Sequence, residues 1–547
     1  MKKYRLTIYA LISGILLSPA WFEWGTGLIL LFALTPLLTI EDYLFQNKAT
    51  QRPHKAFLYA ALSFATFNTL TTWWIWNASP VGMLLAILIN TLLMSVIFWL
   101  FHLVRRNAGS GPGYLGLIVF WLVYEHYYMN GEITWPWLNL GNGFFNDIHL
   151  IQWYEFTGAF GGTFWVLLSN ILLFFLLKHF ISHRSLKGKY LLAGIWGSLV
   201  VVPIVISIVM FYSYEEKSAP KEIVVIQPNI DPYNEKFGGM EADKQMSILL
   251  HLADSLTTRQ TDYVVVPETF ISNNVWEDNL RRNPSILSIR GFVRTYPNVK
   301  FIVGLIYRTR YDTPEEITKT AQPIPGTGFF YDSFNAALQI DSTQHIPIYK
   351  KSKLVVGVEK MPYPHLFGFL RDIMLRLGGT FRSHGTQDYR ECFFSSEDST
   401  GVGTAICYES VFGEFVTEYI HAGANYIFVV TNDGWWGDTP GYRQHHAFSR
   451  LRAIETRRSV ARSANTGTSS FINQRGEVLQ KTGYWVPDVI RATLNANDKI
   501  TFYVKHGDFL ARWAYFFSLL VILYTVVRAI LGRKKKSESR IQKSEGV

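Results

Sequence analysis

Long apolar runs constrain this chain more than any other feature. A helix crossing a bilayer needs about 20 mostly apolar residues, because in lipid its backbone polar groups must be satisfied within the segment. Such runs fill the first 213 residues and return once near the end. Eight candidate spans are read at 6–20, 25–44, 56–76, 81–104, 114–128, 162–180, 191–211 and 509–531. The first follows Met1-Lys2-Lys3-Tyr4-Arg5, as a signal peptide would. More spans follow at once, so it reads as an anchor. The fifth is short, and its Glu125 and His126 suggest an end near the interface.

Lysine and arginine fix the expected orientation. Lys48, Arg52 and Lys55 lie between spans two and three, and Arg105 and Arg106 between four and five. Lys178, Arg184, Lys187 and Lys189 lie around the loop after span six, and Arg533 to Lys536 follow span eight. The alternate loops 23–26, 77–80 and 129–161 contain neither residue. Both termini are therefore expected inside and the long polar segment outside. The expected division is a membrane domain at 1–213, an outer domain at 214–508, a last span at 509–532 and a basic tail at 533–547. The net charge of +10 is mostly this loop excess. A nucleic-acid binder needs a basic stripe on one folded face, and none is read here.

In the outer segment, β-branched runs at 222–227, 263–266, 301–306, 336–340, 402–407, 426–431 and 469–473 alternate with several helical stretches. That pattern argues for layers of helix and sheet. Three reactive side chains sit at or near strand ends. Glu268 ends Val264-Val265-Val266-Pro267-Glu268, Lys351 follows Tyr349-Lys350, and Cys407 ends Ala405-Ile406. A thiol, a carboxylate and an ammonium are the parts of acyl transfer through a thioester. Apolar surroundings make Glu268 a better base. Lys351 and the Tyr408 N–H would face an oxyanion, and Glu359 would hold the lysine. Cys407 opens a helical stretch, whose N-terminus favours a thiolate. Two blander readings stand beside this one: a buried structural thiol, or a Cys392–Cys407 disulfide. No clustered His/Cys metal spacing is seen, and neither metal nor organic cofactor is expected.

The ordered set Pro267-Glu268, Lys351 and Cys407-Tyr408-Glu409 resembles the nitrilase, or carbon–nitrogen hydrolase, superfamily. Val225 to Ile230, Thr431 to Asp438, Arg452 to Arg458 and Ala464 to Gly467 agree with it. The resemblance implies a four-layer α-β-β-α sandwich and a Glu268–Lys351–Cys407 triad, with Glu359, Tyr408 and Glu409 in support. With eight spans, the chain is similar to membrane-embedded members that move a fatty acyl chain. The implied donor is a phospholipid, and the acceptor the N-terminal amine of a diacylglyceryl-cysteine apolipoprotein. The implied setting is the inner membrane with the site facing the periplasm. Phe237 falls where those members have a tryptophan on a mobile arm, with Gly238 and Gly239 as hinges. The family's Pro-Phe-Gly-Glu is replaced here by Val356-Gly357-Val358-Glu359. A membrane-tethered amidase and a transporter with an outer domain remain the alternatives. Within 364–377, Leu366, Leu370, Ile373 and Leu377 share one helical face. That face fits either core packing or a lid in contact with the membrane.

Overall fold

The computed structural model describes residues 3–363 and 383–545. The apolar first part forms helices α1 (Lys3–Leu17), α2 (Leu30–Ala33), α3 (Thr35–Gln46), α4 (His54–Thr72), α5 (Pro80–Ala108), α6 (Ser110–Asn130), α7 (Tyr154–His183) and α8 (Tyr190–Ser213). Among the described residues, five stretches are long and apolar enough to cross a membrane: Gly27–Gln46, α5, α7, α8 and Phe509–Gly532. The other three expected spans fall on α1, α4 and α6, which have 15, 19 and 21 residues. The second run is not one helix. It breaks at Leu34, just before Pro36, which has no N–H to donate. Asn170 takes up the loose ends there, accepting from Leu34 N at 2.7 Å and donating to Leu30 O at 2.7 Å.

Two residues assigned to loops or interfaces prove to be buried. Arg105, counted above as a loop charge, is in the last turn of α5, only 2% exposed, and bonds Glu41 and Asp42. Lys178 also pairs with Asp42, at 2.7 Å, which ties α3, α5 and α7 together. Glu125, expected near an interface, is enclosed by protein. It accepts from Trp121 Nε1, Leu140 N and Thr163 Oγ1 at 2.7–3.0 Å.

The polar segment builds two sheets. The first has the order β14-β1-β2-β4-β6-β5, where β1 is Pro220–Gln227, β2 Tyr263–Val265, β4 Lys300–Tyr311, β5 Gln322–Pro323, β6 Phe330–Ile340 and β14 Asp488–Asn495. Strands β3 (Ile271–Trp276) and β7 (Ile348–Lys350) join it at β4 and β6. The second runs β13-β12-β11-β10-β9-β8, from Val478–Lys481 through Ser470–Ile472, Ser459–Ala464, Ala424–Thr431 and Gly401–Ile406 to Cys392–Phe394. Strands β1, β2 and β4 are mutually parallel, as are β9, β10 and β11.

Parallel strands covered on both faces read as unbroken apolar runs. In β1, Ile223 and Val225 pack toward Tyr426 and Phe428 of the second sheet, while Val224 and Ile226 pack under α9 (Ala242–Leu256) and α10 (Pro284–Thr295). Tyr263 meets Phe428 edge-on, with ring centres 5.4 Å apart. Helices α11 (Gly413–His421) and α12 (Pro440–Thr456) cover the other side of the second sheet, completing an α-β-β-α sandwich. The chain then passes through α13 (Phe502–His506) into α14 (Phe509–Glu545).

The sandwich is bonded to the membrane part. Trp137 Nε1 donates to Gln444 Oε1 at 2.7 Å, and Gln444 Nε2 donates to Trp21 O at 2.8 Å. Arg457 reaches Gln152 Oε1 at 2.6 Å.

Candidate active site

The structure places the three expected residues at neighbouring strand ends. Glu268 lies three residues beyond β2, where Gly304 N bonds Pro267 O at 3.2 Å. A Cβ on Gly304 would lie 2.6 Å from the Glu268 Cα, so only glycine lets β4 approach this closely. Lys351 follows β7, and its N–H bonds Asn335 O at 2.8 Å. Cys407 follows β9 with φ +52°, a left-handed conformation that non-glycine residues rarely adopt. Thr269, next to Glu268, is also left-handed at φ +47°. Such conformations gather at functional sites.

Lys351 is buried at 1% exposure. Its Nζ lies 3.0 Å from Glu268 Oε1 and 2.9 Å from Glu359 Oε1. Burial disfavours the charged amine, but Glu268 and Glu359 outweigh it and hold the ammonium well above its usual range. Burial likewise works against the Glu359 anion, and Lys351 holds it below the usual range. Glu359 Oε2 accepts from Val355 N at 2.9 Å. The Val356-Gly357-Val358 replacement closes as a turn, with Gly357 at φ +84° and Glu359 N bonded to Val355 O at 2.8 Å.

Glu409, fully buried, joins the cysteine turn to the lysine loop. Its Oε2 accepts from Ile406 N at 2.8 Å, and its Oε1 accepts from Ser352 N and Tyr349 Oη, each at 2.7 Å. Tyr408 Oη donates to Thr134 O at 2.9 Å, which ties the same turn to a membrane-side loop. Cys407 opens only a short 3₁₀ turn, Cys407–Val411, in which the Tyr408 N–H has no partner inside the turn. Burial and then the Glu268 charge push the Cys407 thiol well above its usual range, against a smaller opposing pull from Lys351. A base must therefore remove its proton during reaction. Both cysteines are free. Cys392 donates to Tyr419 O at 3.2 Å, and burial pushes its thiol to about 12.

Several neighbours were not read from the sequence. Asn335 Nδ2 bridges Glu268 Oε1 at 2.7 Å and Glu359 Oε1 at 2.9 Å. Lys236, 2% exposed, donates to Glu268 O at 2.9 Å, and burial brings its amine down to about 8. His445 Nε2 lies 3.1 Å from Cys407 O, its Nδ1 lies 2.9 Å from Asp433 Oδ1, and Arg462 holds Asp433 at 2.6 Å. The adjacency of Lys236 to Phe237 was the one available hint. Phe237 is half exposed and lies parallel to Trp435 at 6.3 Å, and Gly238 is left-handed at φ +141°. A Cβ on Gly239 would come within 1.6 Å of Asn234 O. Leu366 and Leu370 lie outside the described residues.

Cys407 opens on an apolar cavity of about 230 Å³. Leu85, Ala86 and Ile89 of α5 line one side, Trp135 and Trp137 another, and Val355 and Val358 a third.

An α-β-β-α sandwich with an acid, an amine and a thiol at adjoining strand ends, bonded onto membrane helices, defines a membrane-anchored nitrilase-type protein. Residues 224–500 match the family model for carbon-nitrogen hydrolase, and the chain belongs to that family. Residues 13–172 match the model for the apolipoprotein N-acyltransferase N-terminal domain. The chain is 28% identical over 513 residues to apolipoprotein N-acyltransferase of Chlorobaculum tepidum, covering 91% of this chain and 92% of the relative. It is 24% identical over 542 residues to apolipoprotein N-acyltransferase of Geobacter metallireducens, covering 96% and 95%. The solved structure of Nit3 from Saccharomyces cerevisiae, a nitrilase-superfamily member, aligns at 13% identity and TM-score 0.36 over 52% of this chain and 92% of its own.

Proposed function

We propose that this chain is an apolipoprotein N-acyltransferase. It moves a fatty acyl group from a phospholipid to the N-terminal amine of a diacylglyceryl-cysteine lipoprotein. The observation that carries this reading is the apolar cavity joining α5 to Cys407. A soluble amide would need no such lining. A lipid chain entering from the bilayer side would be held by it while its ester reaches the thiol.

In the first step Glu268 takes the Cys407 proton, and sulfur attacks the ester carbonyl carbon. The Lys351 ammonium and the Tyr408 N–H face the oxyanion. The C–O bond breaks, the lysophospholipid oxygen takes the proton from Glu268, and a thioester remains. In the second step the acceptor amine attacks that thioester carbon and loses a proton to Glu268. The C–S bond breaks, and the proton returns to sulfur. Glu359 and Asn335 hold Lys351 and Glu268 in register, and Phe237, Gly238 and Gly239 form an arm at the mouth. Incubating the purified protein with phospholipid should give a protein heavier by one acyl group on mass spectrometry. Release of free fatty acid or of ammonia from a soluble amide, with no adduct, would favour the tethered amidase instead.

Filling the cavity tests its role separately. Ala86→Trp should slow acylation by long-chain phospholipid about tenfold, the scale expected when a hydrophobic pocket is misfitted. It should leave the reaction of Cys407 with a small water-soluble thiol reagent unchanged. Equal slowing of both reactions would mean that the substitution damaged the thiol site.

The division this reading implies is a membrane domain at 1–213, a catalytic domain at 214–508, a last span at 509–532 and a basic tail beyond it. There are eight spans, with both termini cytoplasmic and the catalytic domain periplasmic. Even with Arg105 neutralised by Glu41 and Asp42, Lys48, Arg52, Lys55, Arg106, Arg184, Lys187 and Lys189 keep the asymmetry. Reporters active only outside the cytoplasm should be active when fused within 77–80, 129–161 or 214–507, and silent at 48–55 or after Arg533. An active fusion after Arg533 would break this topology.

A further inference from the structure

A second polar cluster lies at the seam where the last helix leaves the sandwich. His126 comes from α6, Glu414 from α11, and Asp508 from the link between α13 and α14. Potential ligand atoms of the three all lie within 4.8 Å of one another. Glu414 and Asp508 each have one oxygen bonded to a side chain outside the trio, and Glu414 Oε2 and His126 Nε2 face each other. Glu414 Oε1 accepts from Arg512 Nη1 at 2.6 Å and from Asp508 N at 3.3 Å, and its Oε2 lies 3.8 Å from His126 Nε2. His126 Nδ1 lies 3.4 Å from Tyr515 Oη. Asp508 Oδ1 accepts from Tyr503 Oη at 2.7 Å.

Asp508 Oδ2 is the independent sign of a missing partner. The residue is 1% exposed, and this atom is buried with no hydrogen bond. An unsatisfied buried carboxylate oxygen is expensive to keep. The backbone is fitted to this crowding. Gly507 is left-handed at φ +56°, and a Cβ there would lie 2.0 Å from Glu414 Oε1. A Cβ on Gly413 would lie 2.6 Å from Tyr503 Oη.

We propose that His126, Glu414 and Asp508 bind a divalent transition-metal ion of the zinc class. One imidazole and two carboxylates, with water in the fourth position, are a donor set zinc accepts. Tyr515, Arg512 and Tyr503 are placed as outer partners that orient the ligands. The three ligands are 288 and 94 residues apart in sequence (414 − 126 and 508 − 414), so no local spacing announces the site. The ion would act as a clasp, pinning the start of α14 to α6 and to the catalytic sandwich.

The test uses the full chain in detergent, stripped by a chelator and then given Zn²⁺, with Cys392 and Cys407 replaced by alanine so that no thiol takes the metal. Elemental analysis should find about one zinc per chain, and zinc should raise the melting temperature by about 5 °C at a hundredfold excess over Kd. His126→Gln and Asp508→Asn should each weaken zinc binding at least ~10-fold and remove that shift. Circular dichroism identifies any variant that fails to fold, and His126→Gln, with its side chain 17% exposed, decides the matter if Asp508→Asn does fail. Substoichiometric zinc in the parent, or full binding by folded His126→Gln, would overturn the site.

Discussion

Cys407→Ala should abolish acyl-enzyme formation and lower transfer on the order of 10⁴-fold or more, the scale seen when a covalent nucleophile is removed. Cys392→Ala should keep nearly all activity. The two thiols differ in surroundings rather than in chemistry. Cys407 stands at a strained turn after β9, feels the charges of Glu268 and Lys351, and opens on the apolar cavity. Cys392 lies in β8, 5% exposed, with its thiol on Tyr419 O. Alanine at 407 keeps the backbone strain and removes little volume, so the protein should still fold. Alanine at 392 leaves a small gap in a packed strand and should cost about 1 kcal/mol, visible as a lowered melting temperature. Intact-mass spectrometry after exposure to phospholipid reads the adduct, and transfer to a lipopeptide reads turnover. Equal loss of activity in the two variants would remove Cys407 from the mechanism.

The sandwich was legible because its central strands are buried on both faces. Runs such as Ile223 to Ile226 and Tyr426 to Val430 have no polar side to disguise them. The acid and the thiol were legible for a related reason: each follows such a run, where a strand delivers a side chain to the sheet edge, whereas Lys351 follows the short, half-buried β7 and was legible only through the family resemblance. Asn335, Lys236 and His445 were not. Their partners lie 67, 32 and 38 residues away, and nothing in their local sequence marks them. The sequence shows the helix start at Cys407, which favours a thiolate, but not the burial and the neighbouring carboxylate, which outweigh it in three dimensions. Arg105 and Glu125 were misread alike. A charge near a span end is assumed to seek water, but here Glu41 and Asp42 pair the first, and Trp121, Leu140 and Thr163 bond the second. The second span keeps its place, but its helix breaks just before Pro36, where hydropathy stays high although the backbone ladder cannot continue.

Lys351→Arg should be nearly as damaging as Lys351→Ala, but for a different reason. The ammonium sits between Glu268 Oε1 and Glu359 Oε1, at 3.0 and 2.9 Å, in a pocket that leaves it 1% exposed. A guanidinium keeps the charge but is planar, larger and further from the backbone. It would meet the carboxylates early and push Glu268 away from Cys407, so the variant should fold and lose activity about a hundredfold or more. Alanine instead leaves two buried carboxylates facing each other across Asn335 with their cation gone. Breaking a buried pair in this way costs about 3–5 kcal/mol, so Lys351→Ala should lose both activity and thermal stability. Lys350 and Lys353 are the controls. Lys350 Nζ lies over the Phe334 ring at 4.2 Å, and Lys353 Nζ reaches Met129 O at 3.3 Å, so alanine at either should act mildly on rate. Transfer assays and melting curves on the four variants separate these outcomes. Near-normal turnover by Lys351→Arg would show that the site needs only a positive charge there, and a severe loss at Lys353 would move the oxyanion role to that lysine.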